Sequence, residues 1–233
     1  MNKLMAKNLF TDPIKKYQLL FTKAEQFYKK IHAEKEYQDI VLYVLCFIFV
    51  GEILSFVAWL PTLGLGIETA FFAIFMGIMG IILSPILTLL ATFICAGIVH
   101  LCLMLFKKGL DYFTTWKVLA YASLIPILYN IVSSIMTTFA ESLNPWPAQS
   151  LLAEELVFGT YSITVLVLMF IIGFVSLIHV LYTEIVGLRL YHKISTAQAI
   201  GALVLSFVVI IVIILLFVLL FSSLFFVART VIG

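Results

Sequence analysis

Five stretches of this sequence carry almost no charge, and their lengths restrict what the chain can fold into. They are Ile40 to Leu60, with Glu52 inside it, Thr69 to Phe106, Val118 to Ala140, Leu156 to Thr183, and Ala199 to Ala228. A helix needs roughly 20 residues to cross about 30 Å of hydrocarbon, and each stretch reaches that length. The sequence predicts an all-α, polytopic integral membrane protein with five transmembrane helices. Composition agrees: of 233 residues, 64% are apolar and only 11% charged, whereas a soluble domain carries about a quarter charged residues. Water is not the main solvent of this chain.

What lies outside the lipid is small. Residues 1–39 form an N-terminal arm, and residues 40–233 form the five-span domain with short connections, none long enough to bury a separate soluble core. The start, MNKLMAKNLF, lacks the basic region, short apolar core and cleavage site of a signal peptide, so the N-terminus is expected to be retained. Cys46, Cys95 and Cys102 all fall in hydrophobic runs and read as small apolar residues, with no disulfide framework.

Orientation follows from the basic residues, because Lys- and Arg-bearing loops stay cytoplasmic. The arm holds Lys3, Lys7, Lys15, Lys16, Lys23, Lys29, Lys30 and Lys35. The loop after the second span holds Lys107, Lys108 and Lys117, and the loop after the fourth holds Arg189 and Lys193. The other two loops carry Glu68, Glu141, Glu154 and Glu155 instead. Arg229 alone dissents, so the N-terminus is expected in the cytoplasm and the C-terminus outside it. Trp59, Trp116 and Trp146 lie at or beyond span ends, where an indole can bury its ring and wet its N–H.

Two segments carry more specific expectations. The second run is nearly twice the length the lipid requires, and Pro85 near its middle predicts a tilted leading segment, Thr69 to Ser84, before the true span from Pro85 to Phe106; a re-entrant hairpin is the alternative. In the arm, Asp12 and Pro13 suit the cap and first position of a helix whose stripe is Ile14, Tyr17, Phe21, Ala24, Phe27 and Ile31. Flanking lysines would set that helix along the inner membrane surface against anionic lipid heads, or present it to a cytosolic partner.

The polar residues within and beside the spans are the candidate site. Counted from the basic ends, His179 lies roughly 14 Å deep, Glu52 and Asn130 roughly 18 Å, and His100 roughly 9 Å, with Ser206 near the deeper level. A mid-membrane carboxylate costs about 2.5–3.5 kcal/mol on insertion scales, so Glu52 is expected to bond His179 or Asn130. The layer reads as interhelical glue or as a proton or solute path. Lys107, Lys108, Glu184, Arg189, His192 and Lys193 form the cytoplasmic flank, with Glu184 able to pair with Arg189 or Lys193. Ser195 and Gln198 form a capping box that starts the fifth span.

Enzyme signatures are absent or fail on geometry. No HExxH, P-loop, GxGxxG or GxSxG occurs. The stretch EELVFG, Glu154 to Gly159, with His179 is similar to a CAAX-type prenyl protease pattern, but lacks the arginine after its paired glutamates. Glu155 also lies 24 residues from His179, about 36 Å along one helix. Cys95, His100 and Cys102 offer soft metal ligands, but core packing is the commoner role of such residues. No cofactor, metal or nucleic acid is expected.

Residues 99 to 131, VHLCLMLFKKGLDYFTTWKVLAYASLIPILYNI, resemble the Yip family of polytopic membrane proteins, particularly its bacterial and archaeal branch. The matching positions are His100, Gly109, Thr114, Ala120 to Ser123, and Pro126. The later VGLRLYHKISTAQAIGALVLS is similar to the family's junction between its last two spans, at Gly187, Leu188, His192, Ser195 and Ala199. LFTDPIKKY resembles its N-terminal start. The eukaryotic members bind Rab-type GTPases, but their DLxGP signature is absent, so GTPase binding is not carried over. The resemblance implies a five-span fold in a cell membrane, of a prokaryote or an endomembrane. With the enzyme signatures absent, the chain is expected to be non-enzymatic and to act as a membrane organiser or scaffold through membrane lipids and a protein partner or homo-oligomer. A small-solute or ion transporter built on Glu52, Asn130 and His179 is the alternative. The two similar junctions also suggest that spans two and three repeat spans four and five.

Overall fold

The computed structural model describes residues 12–33, 36–60, 67–107, 110–143 and 163–232. Lys108, Gly109, Trp146 and the EELVFG stretch lie outside them. Among the described residues the chain forms eight α-helices, with one 3-10 turn at Ile31–Ala33 and no strand. They are α1 (Pro13–Thr22), α2 (Ala24–Lys30), α3 (Tyr37–Trp59), α4 (Ile67–Phe106), α5 (Tyr112–Ala122), α6 (Ile125–Leu143), α7 (Ile163–His192) and α8 (Thr196–Ile232). Five segments are long and apolar enough to cross a membrane: Tyr37–Trp59, Ile74–Phe106, Tyr112–Phe139, Leu166–His192 and Thr196–Ser223. The five expected spans are all present. The third is built from α5 and α6 together, jointed where Leu124 N–H donates to Tyr121 O at 3.1 Å just before Pro126, which has no N–H to continue the ladder.

The second span differs from expectation. Helix α4 runs unbroken for 40 residues through Pro85, so residues 69–84 are not a separate interfacial or re-entrant segment. Proline removes one ladder bond, whereas breaking the helix in lipid would strand several backbone groups with no water to satisfy them.

Helix α3 packs on α4 and α6, α4 on α5 and α8, and α7 on α5 and α6. The buried core lies at the end of the bundle that carries the lysines, in Ile40, Val44, Val99, Leu103, Trp116, Val118, Tyr121, Leu188 and Ala202. Toward the other end contacts are fewer, though Thr138 Oγ1 of α6 still donates to Ala58 O of α3 and the Phe56 ring lies against Gly77 of α4. Ile211 to Phe221 of α8 are exposed on every face of the helix.

The arm is part of the packed end. Asp12 caps α1 by accepting from Lys15 N–H at 3.1 Å, with Pro13 at the first helical position, as the sequence implies. The Lys15 amine bonded to Asp12 holds that carboxyl below its ordinary range. The chain then breaks at Lys23, and α1 and α2 form a hairpin rather than one helix. Helix α1 climbs along α3 and α5, with Tyr43 Oη donating to Pro13 O at 3.0 Å and Tyr17 Oη donating to Leu124 O at 3.2 Å. Helix α2 returns along α7, where Tyr191 Oη donates to Tyr28 O at 2.9 Å.

Most of the arm's expected stripe therefore faces protein: Ala24, Phe27 and Ile31 are buried against the bundle, Tyr17 and Phe21 are half-buried, and Ile14 is 73% exposed. Leu20 and Tyr28, outside that stripe, are buried as well. The approach is close because α7 carries Gly187 here: a Cβ at that position would stand 2.7 Å from Val118 Cγ1 and 2.8 Å from Tyr28 Cζ. Burial pushes the Tyr17 phenol up to about 12 and the Tyr28 phenol well above its ordinary value, so both remain hydrogen-bond donors at neutral pH.

Candidate functional site

The polar layer resolves into separate sets. Ser84 Oγ of α4 donates to Glu52 Oε1 of α3 at 2.7 Å, so the carboxylate finds a hydroxyl on the neighbouring helix instead of His179 or Asn130. His179 Nδ1 stands 3.1 Å from Tyr129 Oη, with the Phe21 ring of the arm edge-on at 4.5 Å. Asn130 is exposed on α6. Ser206 Oγ donates to Leu203 O in its own helix at 2.8 Å. The sequence places these groups at similar heights, and depth alone says nothing of the direction each faces around its helix.

The best-connected polar set joins three helices at the basic end. His100 Nδ1 of α4 lies 3.0 Å from Thr115 Oγ1 of α5, and the same oxygen lies 2.9 Å from His192 Nε2 of α7. Thr115 is fully buried and His192 nearly so. A hydroxyl has one proton to give and two lone pairs to accept with, so it can donate to at most one of the two imidazoles and must accept an N–H from the other or from both. Lys107 Nζ closes the set by donating to His192 O at 2.6 Å. Asp111 positions Thr115 by capping α5, accepting from Phe113 and Thr114 N–H at 3.3 and 3.1 Å.

Removing the shared hydroxyl exposes its worth. Thr115→Val is expected to lower stability by about 1–3 kcal/mol, since both imidazoles lose their buried partner, while Thr115→Ser keeps most of it. Reversible unfolding in mixed detergent micelles measures the difference.

The flank also differs in detail. Arg189 Nη2 reaches Glu25 Oε2 of the arm at 3.8 Å rather than Glu184, because α2 runs beside this face of α7. Glu25 is itself bonded to Lys29 at 2.7 Å, which holds its carboxyl below the ordinary range. Glu184 sits half-buried on α7, and Lys193 is exposed just beyond the helix end with φ 51°. The capping box forms in both directions, Ser195 N–H to Gln198 Oε1 at 2.9 Å and Gln198 N–H to Ser195 Oγ at 3.2 Å.

Lys117 is not a surface marker. It is 3% exposed, donates to Ile31 O at 3.1 Å and lies over the Tyr191 ring at 5.1 Å. Lys16 is likewise 5% exposed, donating to Tyr121 Oη at 2.7 Å beneath the Tyr43 ring at 4.3 Å. Both amines stitch the arm to the bundle. Thr115, Tyr28, Tyr121 and Ser84 carry these networks without any sequence motif to mark them. Among the described residues no three His, Cys, Asp or Glu side chains stand close enough to hold a metal ion.

Five apolar spans, a packed basic end and the His100–Thr115–His192 bridge between the two similar junctions frame the comparison with known proteins. Residues 17–228 match the Yip1 domain. The chain belongs to the Yip1 domain family. The match opens inside α1, so it takes in α2 and the contacts that α2 makes with α7. Neither the curated proteins nor the solved structures give a match. As a Yip1 domain protein, the chain is a multi-pass membrane protein.

Proposed function

We propose that this Yip1 domain protein is a non-catalytic membrane organiser, a scaffold acting through protein or lipid contacts with its basic end in the cytoplasm. Unequal packing carries the reading. Side chains bury one another at the basic end, while α8 from Ile211 to Phe221 and most of α7 from Leu166 to Val175 present bare apolar surface. Surface of that kind is available to other helices in the same membrane, where close packing and not water drives association.

The polar groups support the same reading. Glu52 with Ser84, His179 with Tyr129, and the two histidines on Thr115 are bonded in three separate helix groupings. Such pairs hold helices in register, whereas transport needs groups that pass a proton or solute from one to the next.

Affinity purification of the full chain from native membranes, followed by mass spectrometry, is expected to return a reproducible protein partner or a second copy of the chain. A proton or solute flux in proteoliposomes that Glu52→Gln abolishes overturns the scaffold and favours transport.

A further inference from the structure

Where α2 turns down beside α7, an open depression of about 320 Å³ is lined by Lys23, Ala24, Glu25, Gln26, Lys29 and Tyr182. Its charge is lopsided. Glu25 is already bonded to Lys29 at 2.7 Å and approached by Arg189 at 3.8 Å, so one carboxylate faces two cations. Lys23, at the hairpin tip, makes no ion pair among the described residues and is exposed. A ligand that fits here carries negative charge.

The surface directly above the depression is of the opposite character. Tyr182 is 54% exposed, and one, two and three turns before it on the same face of α7 stand Ile178, Val175 and Ile171, each between 44% and 52% exposed. The stripe runs for about 16 Å of helix with no charged residue. A tyrosine at the junction of a polar hollow and an apolar stripe has the placing of an interfacial aromatic. A free phosphate or an acidic peptide would satisfy the hollow and leave the stripe unused; a lipid satisfies both.

We propose that this depression is a binding site for an anionic phospholipid, its phosphate held by Lys23 and Lys29 beside Tyr182 and its acyl chains laid along Ile178, Val175 and Ile171. The site does not depend on the scaffold reading. It would tie one lipid to the arm and to α7 at once, so the arm's docking and the lipid's residence support each other.

The test is native mass spectrometry of the full chain released from micelles containing equal phosphatidylglycerol and phosphatidylcholine with identical acyl chains. Wild type is expected to retain phosphatidylglycerol preferentially, and Lys23→Gln to lower that preference about fivefold, with Lys23→Arg restoring it. Lys30→Gln, an exposed lysine of the same helix outside the depression, is the control and is expected to leave it unchanged. Equal losses in Lys23→Gln and Lys30→Gln mean diffuse surface charge and overturn the site, as does equal retention of the two lipids by wild type. Displacement of phosphatidylglycerol by glycerol phosphate at similar concentration overturns the lipid in favour of a soluble phosphate. Circular dichroism melting of each variant verifies that the exposed substitutions leave the fold in place.

Discussion

Tyr28→Ala is expected to destabilise the basic end by about 3–5 kcal/mol and to free the arm, the range for truncating a fully buried aromatic side chain. Tyr28 is 0% exposed, its ring meets Phe27 edge-on at 5.3 Å and Tyr191 at 5.6 Å, and Gly187 lies directly beneath it. Because that floor is a glycine and the walls are helices α5 and α7, little can move in to fill the space. Tyr28→Phe provides the contrast. It removes only the bond from Oη to Val118 O at 3.2 Å, and that carbonyl lies within the hydrogen-bonded ladder of α5, so the loss should be about 1 kcal/mol or less. Detergent-titrated unfolding measures both, and limited trypsin digestion reports the arm: cleavage after Lys23, Lys29 and Lys30 should quicken strongly in Tyr28→Ala and little in Tyr28→Phe. Equal digestion of the two would mean that the hydroxyl, not the ring, holds the arm.

The arm also shows how far the sequence can be read. Its N-terminal cap and the burial of Ala24, Phe27 and Ile31 follow from residue type and spacing, whereas the break at Lys23, the exposure of Ile14 and the burial of Leu20 and Tyr28 do not. What the stripe packs on does not follow. An apolar face is satisfied equally by lipid tails or by other helices, since the bilayer removes the hydrophobic difference between them. Lys16 and Lys117 compound the ambiguity. In the sequence they count toward the positive-inside pattern, and only the tertiary contacts with Tyr121 and Ile31 reveal them as buried bonds.

The spans themselves are legible because hydrophobic length is a one-dimensional quantity. The candidate site is less so. Height along a helix can be counted at about 1.5 Å per residue, which places Glu52, Asn130 and His179 near one level. Which helix face each occupies depends on packing, and Glu52 turned toward Ser84, a residue with no mark of its own. The His100–Thr115–His192 bridge was half visible: His100 and His192 stand out near span ends, while the threonine between them is hidden beside Thr114, the more conspicuous cap partner, whose N–H and hydroxyl both donate to Asp111.

Trp116 separates the two kinds of knowledge most sharply. Its position near a span end reads as an interfacial indole with a wetted N–H, yet it is 0% exposed, stacked on Phe93 at 4.7 Å and packed on Tyr37 at 4.9 Å. Helix α5 turns it inward against α3 and α4, whose Tyr37 and Phe93 cover it. Its Nε1 has no hydrogen-bond partner among the described residues. Two substitutions should therefore diverge. Trp116→Ala empties a closed aromatic cluster and is expected to cost about 3–5 kcal/mol. Trp116→Phe keeps the stacking with Phe93 and removes a buried donor whose desolvation costs about 1–3 kcal/mol, which offsets much of the lost volume and leaves stability close to wild type. Unfolding followed by circular dichroism, which does not depend on the indole, compares the three proteins. A Phe variant as unstable as the Ala variant would mean that the indole N–H carries a bond, and that this end of the bundle is wetter than its packing implies.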